Sequence, residues 1–148
     1  SPDGEWIAFH GDGELNIIKP DGTGRRVLAY GNDTNCPFGI AWSPDSQLIA
    51  WIGGTCGVSR THIHAIKKDG TGYKRIYFSF DGGLKEEMIA WSPEGTDIVF
   101  MDEANGVQQI KVDCKSDFPE CIAGLKSDLD EFPVRWLAKY NPQWEIKQ

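Results

Sequence analysis

The dipeptide Ser-Pro recurs at Ser1-Pro2, Ser43-Pro44 and Ser92-Pro93, at spacings of 42 and 49 residues. Recurrence at a near-fixed period constrains a fold strongly, because each copy must become one supersecondary unit that stacks on the next. A short apolar stretch follows each copy: Glu5-Trp6-Ile7-Ala8-Phe9, Gln47-Leu48-Ile49-Ala50-Trp51 and Asp97-Ile98-Val99-Phe100. Matching segments precede two of them, Gly39-Ile40-Ala41-Trp42 and Met88-Ile89-Ala90-Trp91. Phe132-Pro133-Val134-Arg135-Trp136 is a fainter copy, followed by Leu137-Ala138-Lys139-Tyr140 where Ser-Pro would stand.

A second repeated feature supports the period. Lys19-Pro20-Asp21-Gly22-Thr23-Gly24-Arg25 matches Lys68-Asp69-Gly70-Thr71-Gly72-Tyr73-Lys74 around an Asp-Gly-Thr-Gly core, the cores lying 48 residues apart. Asp-Gly between alternating strands predicts a hairpin, since both residues tolerate positive φ. Leu15-Asn16-Ile17-Ile18 and Thr61-His62-Ile63-His64-Ala65-Ile66 lie upstream, and Arg26-Val27-Leu28 and Lys74-Arg75-Ile76-Tyr77-Phe78 downstream. One repeat thus reads as four strands. Strand A ends in Trp, B follows the Ser-Pro turn, and C and D flank the Asp-Gly turn. Four strands in roughly 40–50 residues is the pattern of a β-propeller blade. Residues 84–88 have helical propensity, but the stretch is short and runs into strand A.

The expected fold is therefore all-β, with about three blades of four antiparallel strands. Blade 1 covers about residues 1–30 without a strand A, blade 2 about 36–80 and blade 3 about 86–128. Residues 130–136 start a further blade, and 137–148 form an atypical tail. Closed propellers have about 4–8 blades, and an open edge invites pairing. The remainder is expected to be missing from this chain, to lie in a separate chain, or to come from a second copy. In the last case the C-terminal A strand of each copy would complete the N-terminal blade of the other, giving a six-bladed homodimer. Ser1-Pro2-Asp3-Gly4 reads as a β-turn, an unusual start for a natural protein, so the 148 residues read as a mature product or a piece.

Ile40-Ala41-Trp42-Ser43-Pro44-Asp45, with Leu48-Ile49-Ala50-Trp51 behind it, resembles the Trp-Ser-Pro-Asp-Gly repeat of TolB-like β-propellers. These WD40-like repeats occur in TolB and in the propeller domains of prolyl oligopeptidases. Ser1-Pro2-Asp3-Gly4 and Trp91-Ser92-Pro93-Glu94-Gly95 carry the same pattern, and the resemblance covers about residues 1–136. The chain departs from it at Asp45-Ser46, where Gly is expected, and after Trp136. The resemblance implies a propeller and an exported location, but no single task.

The formal net charge is −7, which argues against nucleic acid and anionic lipid as partners. No apolar run approaches the roughly 20 residues of a transmembrane segment. The four cysteines suggest two disulfides and an oxidising compartment, periplasmic or extracellular. Cys36 just precedes strand A of blade 2 and Cys56 just follows strand B, which places them at one end of the same hairpin. Cys114 and Cys121 flank a longer C–D loop. Each bridge would add about 2–4 kcal/mol. No Cys-x-x-Cys is present and no His adjoins a Cys pair, so metal thiolates are not expected.

His62 and His64, two apart on one strand, face the same side, and with a third ligand could hold a metal. The simpler expectation is two ordinary residues on a polar face, with no metal or other cofactor. His10 has no partner that the sequence identifies. Asp12, Asp21, Asp33, Asp45, Asp69, Asp81 and Asp102 sit in loops, but none of these stretches has calcium-loop spacing, and Asp-Gly is a turn device. Gly57-Val58-Ser59-Arg60-Thr61 fails as a nucleophile elbow. Asp102-Glu103 and Glu86-Glu87 are adjacent acids, not a facing pair. Trp42, Trp91 and Trp136 are expected between blades. Trp6 and Trp51 have opposite parity on strand B, so one is expected to face outward. Trp144 is the candidate partner contact.

These features point to a non-catalytic protein–protein interaction or scaffold module, an exported propeller segment within a larger assembly. The alternative is an accessory propeller portion of a peptidase or polysaccharide-active enzyme whose catalytic residues lie outside this chain.

Overall fold

The computed structural model describes residues 1–30, 38–54, 61–79, 84–103, 105–112 and 122–126. They form three antiparallel sheets whose strands are ordered as they occur in sequence. The first holds β1 (Ile7–Gly11), β2 (Glu14–Ile18) and β3 (Arg26–Tyr30). The second holds β4 (Phe38–Trp42), β5 (Leu48–Gly54), β6 (Thr61–Lys67) and β7 (Lys74–Ser79). The third holds β8 (Leu84–Trp91), β9 (Asp97–Asp102), β10 (Gly106–Val112) and β11 (Ile122–Lys126). Residues 84–88 are strand despite their helical propensity. Leu84 is buried in the core, and its N–H donates to Thr61 Oγ1 of the second sheet at 2.7 Å, so tertiary contacts override the local preference.

The Ser-Pro turns explain why Ser recurs. Ser43 N–H donates to Leu48 O (2.9 Å), and Leu48 N–H returns a bond to Ser43 Oγ (2.8 Å). The Ser43 hydroxyl in turn donates to Asp45, whose carboxylate also accepts Gln47 N–H. Ser92 closes the next turn alike, its Oγ accepting from Thr96 N–H (3.1 Å) and Asp97 N–H (3.0 Å). At Ser1 the terminal ammonium takes the place of the amide and donates to Trp6 O. The glycine of the pattern is left-handed at Gly4 and Gly95, with φ of 74° and 71°. Ser46 holds φ 60° at the same point, and its Oγ accepts Asp3 N–H (3.1 Å) from the neighbouring unit.

The Asp-Gly hairpins are present, but not with positive φ at both residues. Within each Asp-Gly pair the glycine alone is left-handed, Gly22 at 83° and Gly70 at 89°. Gly22 N–H donates to Lys19 O and Lys19 N–H to Thr23 O, which makes a three-residue loop. Asp21 stays out of the left-handed region and uses its carboxylate instead, accepting Thr23 N–H (2.9 Å) and the Thr23 hydroxyl (2.8 Å). Asp69 and Thr71 repeat this at 2.8 and 2.7 Å.

The second sheet is covered on both faces, and every residue of β5 is buried. Leu48, Ala50 and Ile52 pack towards the third sheet, against Trp91, Ile98 and Phe100. Ile49 and Trp51 pack towards the first, against Leu15, Ile17 and Leu28. Each fully buried Ile contributes roughly 1.5–3 kcal/mol. Strands β4 and β8 lie against each other, and Trp91 Nε1 donates to Ala41 O across that boundary at 3.0 Å. Trp42 packs against the core between the first and second sheets. Trp6 and Trp51 do have opposite parity, but neither faces outward. Trp6 joins the same core from the first sheet and Trp51 from the second. Parity separates two faces, and here both faces meet a neighbouring sheet.

Candidate functional site

Alternation along β6 puts His62 and His64 on one face, with ring centroids 5.6 Å apart. The face is not polar. His64 is fully buried and pairs across the sheet with Trp51, whose ring stacks on it at 5.1 Å and 23°. Tyr73 stacks on His64 at 5.7 Å, and its hydroxyl shares a 2.9 Å hydrogen bond with His64 Nδ1. His62 lies opposite Gly53 and is half-buried. The cause is architectural: this face of the second sheet meets the core of the first.

The same pairing occurs once in each sheet. Phe9 lies opposite Asn16, Trp51 opposite His64, and Phe100 opposite Gln108. All three polar members are buried. Each is tied within its own sheet, Asn16 Oδ1 accepting Arg25 Nε (3.1 Å) and Gln108 Nε2 donating to Asn105 O (2.8 Å). A buried polar group costs free energy unless it is hydrogen-bonded, and these bonds supply the partner. His64 therefore holds a buried polar position that recurs in each of the three sheets. Among the described residues, no group of three or more His, Cys, Asp or Glu is placed to hold a metal ion.

A second polar contact bridges the second and third sheets. Tyr77 donates to Asp102 Oδ2 at 2.8 Å, and Oδ1 of the buried Asp102 accepts Asn105 N–H (3.0 Å) and Nδ2 (3.1 Å). Burial and the Asp102 carboxylate push the Tyr77 hydroxyl up to about 12. At the end of β1, burial pushes His10 down to about 4, so the ring is neutral at pH 7.

No family model matches the chain, and no curated protein matches it. Solved structures do. A chain of the nidogen/laminin complex superposes with a TM-score of 0.59 at 20% identity, over 73% of this chain and 40% of that one. TolB from Acinetobacter baumannii gives 0.58 at 18%, over 85% and 30%. Dipeptidyl peptidase 4 from Porphyromonas gingivalis gives 0.60 at 14%, over 84% and 24%. The fold is that of a β-propeller. The chain spans less than half the length of each of these structures, and at such identities the likeness carries the fold alone.

The three sheets are thus blades, and most of the candidate chemistry serves the propeller. Asp21, Asp45 and Asp69 lock turns, and Asp102 holds a blade boundary. Asp12 is exposed with φ 55°. Asp33, Asp81, the stretch 57–60, all four cysteines, Trp136 and Trp144 lie outside the described residues. The residues that sequence reasoning passed over are Ser46, Tyr73 and Tyr77. For Tyr73 a signal was present. Aligning the two Asp-Gly-Thr-Gly cores sets Asn16 against His64 and Arg25 against Tyr73, so the polar residue and its tether change together.

Proposed function

We propose that the chain is a non-catalytic protein–protein interaction or scaffold module, an exported TolB-like propeller segment that works within a larger assembly. One observation carries this reading. Ile7 on the outer face of blade 1 is 49% exposed, whereas Ile49, its equivalent in blade 2, is fully buried against blade 1. Phe9, Ile18 and Val27 share that outer face by alternation and pairing and are only half-buried. Ile7 and Ile18 are cross-strand neighbours on this face, while Phe9 lies under the Arg25 guanidinium (5.8 Å) and Asn16 separates it from Val27. An apolar side chain half in solvent at a stacking position marks an interaction site. Its occupant in this reading is further propeller, from another chain or from a second copy completing a six-bladed ring. The name of the nidogen/laminin complex shows a similar structure engaged with another protein. A periplasmic or extracellular location fits the TolB resemblance and the four cysteines, and Trp144 is proposed as a partner contact.

Native mass across protein concentration tests the proposal. The reading expects species heavier than the 16.5 kDa chain, and Ile7→Lys is expected to return them to the monomer. A strict monomer at high concentration would sink the self-assembling form, and assembly indifferent to Ile7→Lys would sink the role of this face. The second reading, an accessory portion of a peptidase or polysaccharide-active enzyme, draws on the likeness to a dipeptidyl peptidase. It expects catalytic residues in adjoining sequence, and a Gly-x-Ser-x-Gly elbow there would decide for it.

A further inference from the structure

We infer that the adjoining outer hairpins of blades 1 and 2 form a cationic ridge that docks an acidic polypeptide segment. The inference names a partner chemistry for the module proposed above and rests on that reading. The chain is acidic overall, yet six of its cations gather on two adjoining hairpins. Of its 15 Lys and Arg residues, Lys19 and Arg26 sit on the blade 1 hairpin and Lys67, Lys68, Lys74 and Arg75 on the blade 2 hairpin. These hairpins are the same element of consecutive blades, and they touch. Arg26 Nη2 donates to Lys68 O at 3.3 Å, and a Cβ on Gly70 would lie 3.8 Å from Leu28 Cδ2. Arg25 is excluded from the ridge, because it pairs with Glu14 at 3.5 Å and bonds Asn16. The counterpart segment of blade 3, counted from Lys111 as the equivalent of Lys67, carries Lys111 and Lys115 against Asp113, Asp117 and Glu120, so the excess of positive charge ends at blade 2.

The ridge is built as well as charged. Arg26 lies 4.8 Å from the Trp6 ring centroid and Lys19 6.0 Å from it, which gives two of the cations an aromatic floor. The exposed Tyr73 stacks on His64, and Arg75, the cross-strand partner of His64, shares that face. The pattern also selects among anions. Asp21 and Asp69 interrupt the cations, their carboxylates fixed by Thr23 and Thr71, and Asp3 lies within the field of Lys68. A polymer with one negative charge at every step would meet these carboxylates. A polypeptide can place a neutral or basic residue opposite each of them while its Asp and Glu meet the cations.

Fluorescence anisotropy on the full chain tests this. The probes are a peptide of about 20 residues with Glu alternating with Gly and Ser, and a thymidine oligonucleotide of equal charge. The peptide should bind at low salt, weaken as salt rises, and exceed the oligonucleotide by about ten-fold. Lys74→Glu/Arg75→Glu should weaken peptide binding by at least about ten-fold, while Lys111→Glu on blade 3 should change it by less than about two-fold. If the double reversal melts early, Lys74→Gln/Arg75→Gln takes its place with a smaller loss of the same sign. No peptide binding, an unaffected double variant, or an oligonucleotide that binds as tightly would each overturn the ridge. A chain that assembles in an Ile7-dependent way yet ignores the peptide overturns the ridge alone. A chain that does neither overturns the ridge together with the self-assembling form of the module.

Discussion

Ser46 offers a test in which two opposing contributions can be separated. It occupies the turn position where Gly4 and Gly95 stand in the other blades, and it holds a left-handed φ of 60° with a buried side chain. A residue with a Cβ costs about 1–2 kcal/mol there relative to glycine. Against that, Ser46 Oγ accepts Asp3 N–H at 3.1 Å across the blade 1–blade 2 boundary, a bond worth about 0.5–1.5 kcal/mol net. Ser46→Gly removes both and should leave stability within about 1.5 kcal/mol of the parent, on the stabilising side if strain outweighs the bond. Ser46→Ala keeps the strain and loses the bond, so it should be destabilised by about 0.5–1.5 kcal/mol. The bond is absent from both variants and cancels between them. The Ala–Gly difference then isolates the left-handed cost, about 1–2 kcal/mol in favour of Gly. Urea unfolding at constant m-value measures all three proteins. Ala and Gly variants agreeing within about 0.3 kcal/mol would refute a left-handed backbone at this position.

Three further outcomes are expected. Because the Tyr77 hydroxyl is raised to about 12 from 10, the unfolded chain loses this proton first, so stability should fall as pH rises from 10 towards 12. Tyr77→Phe should flatten that fall in urea midpoints, and an unchanged slope would reject the Tyr77–Asp102 contact. Because His10 is lowered to about 4 from 6.5, the unfolded chain binds its proton first on acidification. Stability should therefore drop between pH 6.5 and pH 4, and His10→Gln should remove that part of the drop in the same assay. Alkylation of the denatured, unreduced chain should leave all four cysteines unmodified, with peptide mapping giving Cys36–Cys56 and Cys114–Cys121. Four alkylations would reject the disulfides, and with them the main chemical argument for an oxidising compartment.

The fold was legible because its determinants are local and repeated. Ser43, Asp45 and Leu48 close a turn within six residues, and Asp21 with Thr23 closes another within three, so the sequence displays each device whole. The hairpin type was misread because Asp-Gly also serves three-residue loops, where the carboxylate rather than the backbone of Asp does the distinctive work. The candidate site was much less legible. Period-two alternation told correctly that His62 and His64 share a face, and that Trp6 and Trp51 take opposite ones. It could not tell what each face meets. The rule that one sheet face is wet fails in a blade stacked on both sides, so the expectations of a polar His64 and an outward Trp failed together. Tyr77 and Asp102 are 25 residues apart on different blades, and no local pattern announces their bond.

Equivalent positions in consecutive blades act as an internal control on what is structural and what is free for function. Phe9, Trp51 and Phe100 each face a buried polar residue, and the chemistry of that residue drifts from Asn16 to His64 to Gln108 while its burial does not. A position that keeps its burial through such changes is held by the architecture, so the histidine there signals packing before it signals catalysis. Ile7 and Ile49 behave in the opposite way, the residue type constant and the environment changed from half-exposed to fully buried. An apolar side chain at a stacking position and half in solvent is a contact waiting for its neighbour. The hairpin cations are a third case. Their element repeats in each blade, but their positive excess is present in blades 1 and 2 and absent from the corresponding segment of blade 3, where Asp113, Asp117 and Glu120 outnumber Lys111 and Lys115. Turn closure requires Asp, Gly and Thr and makes no demand on the flanking Lys and Arg, so selection on the fold does not explain them. A sequence that keeps its turn residues while concentrating positive charge beside two of them places recognition on the outer rim, where the blades touch and the backbone is already fixed.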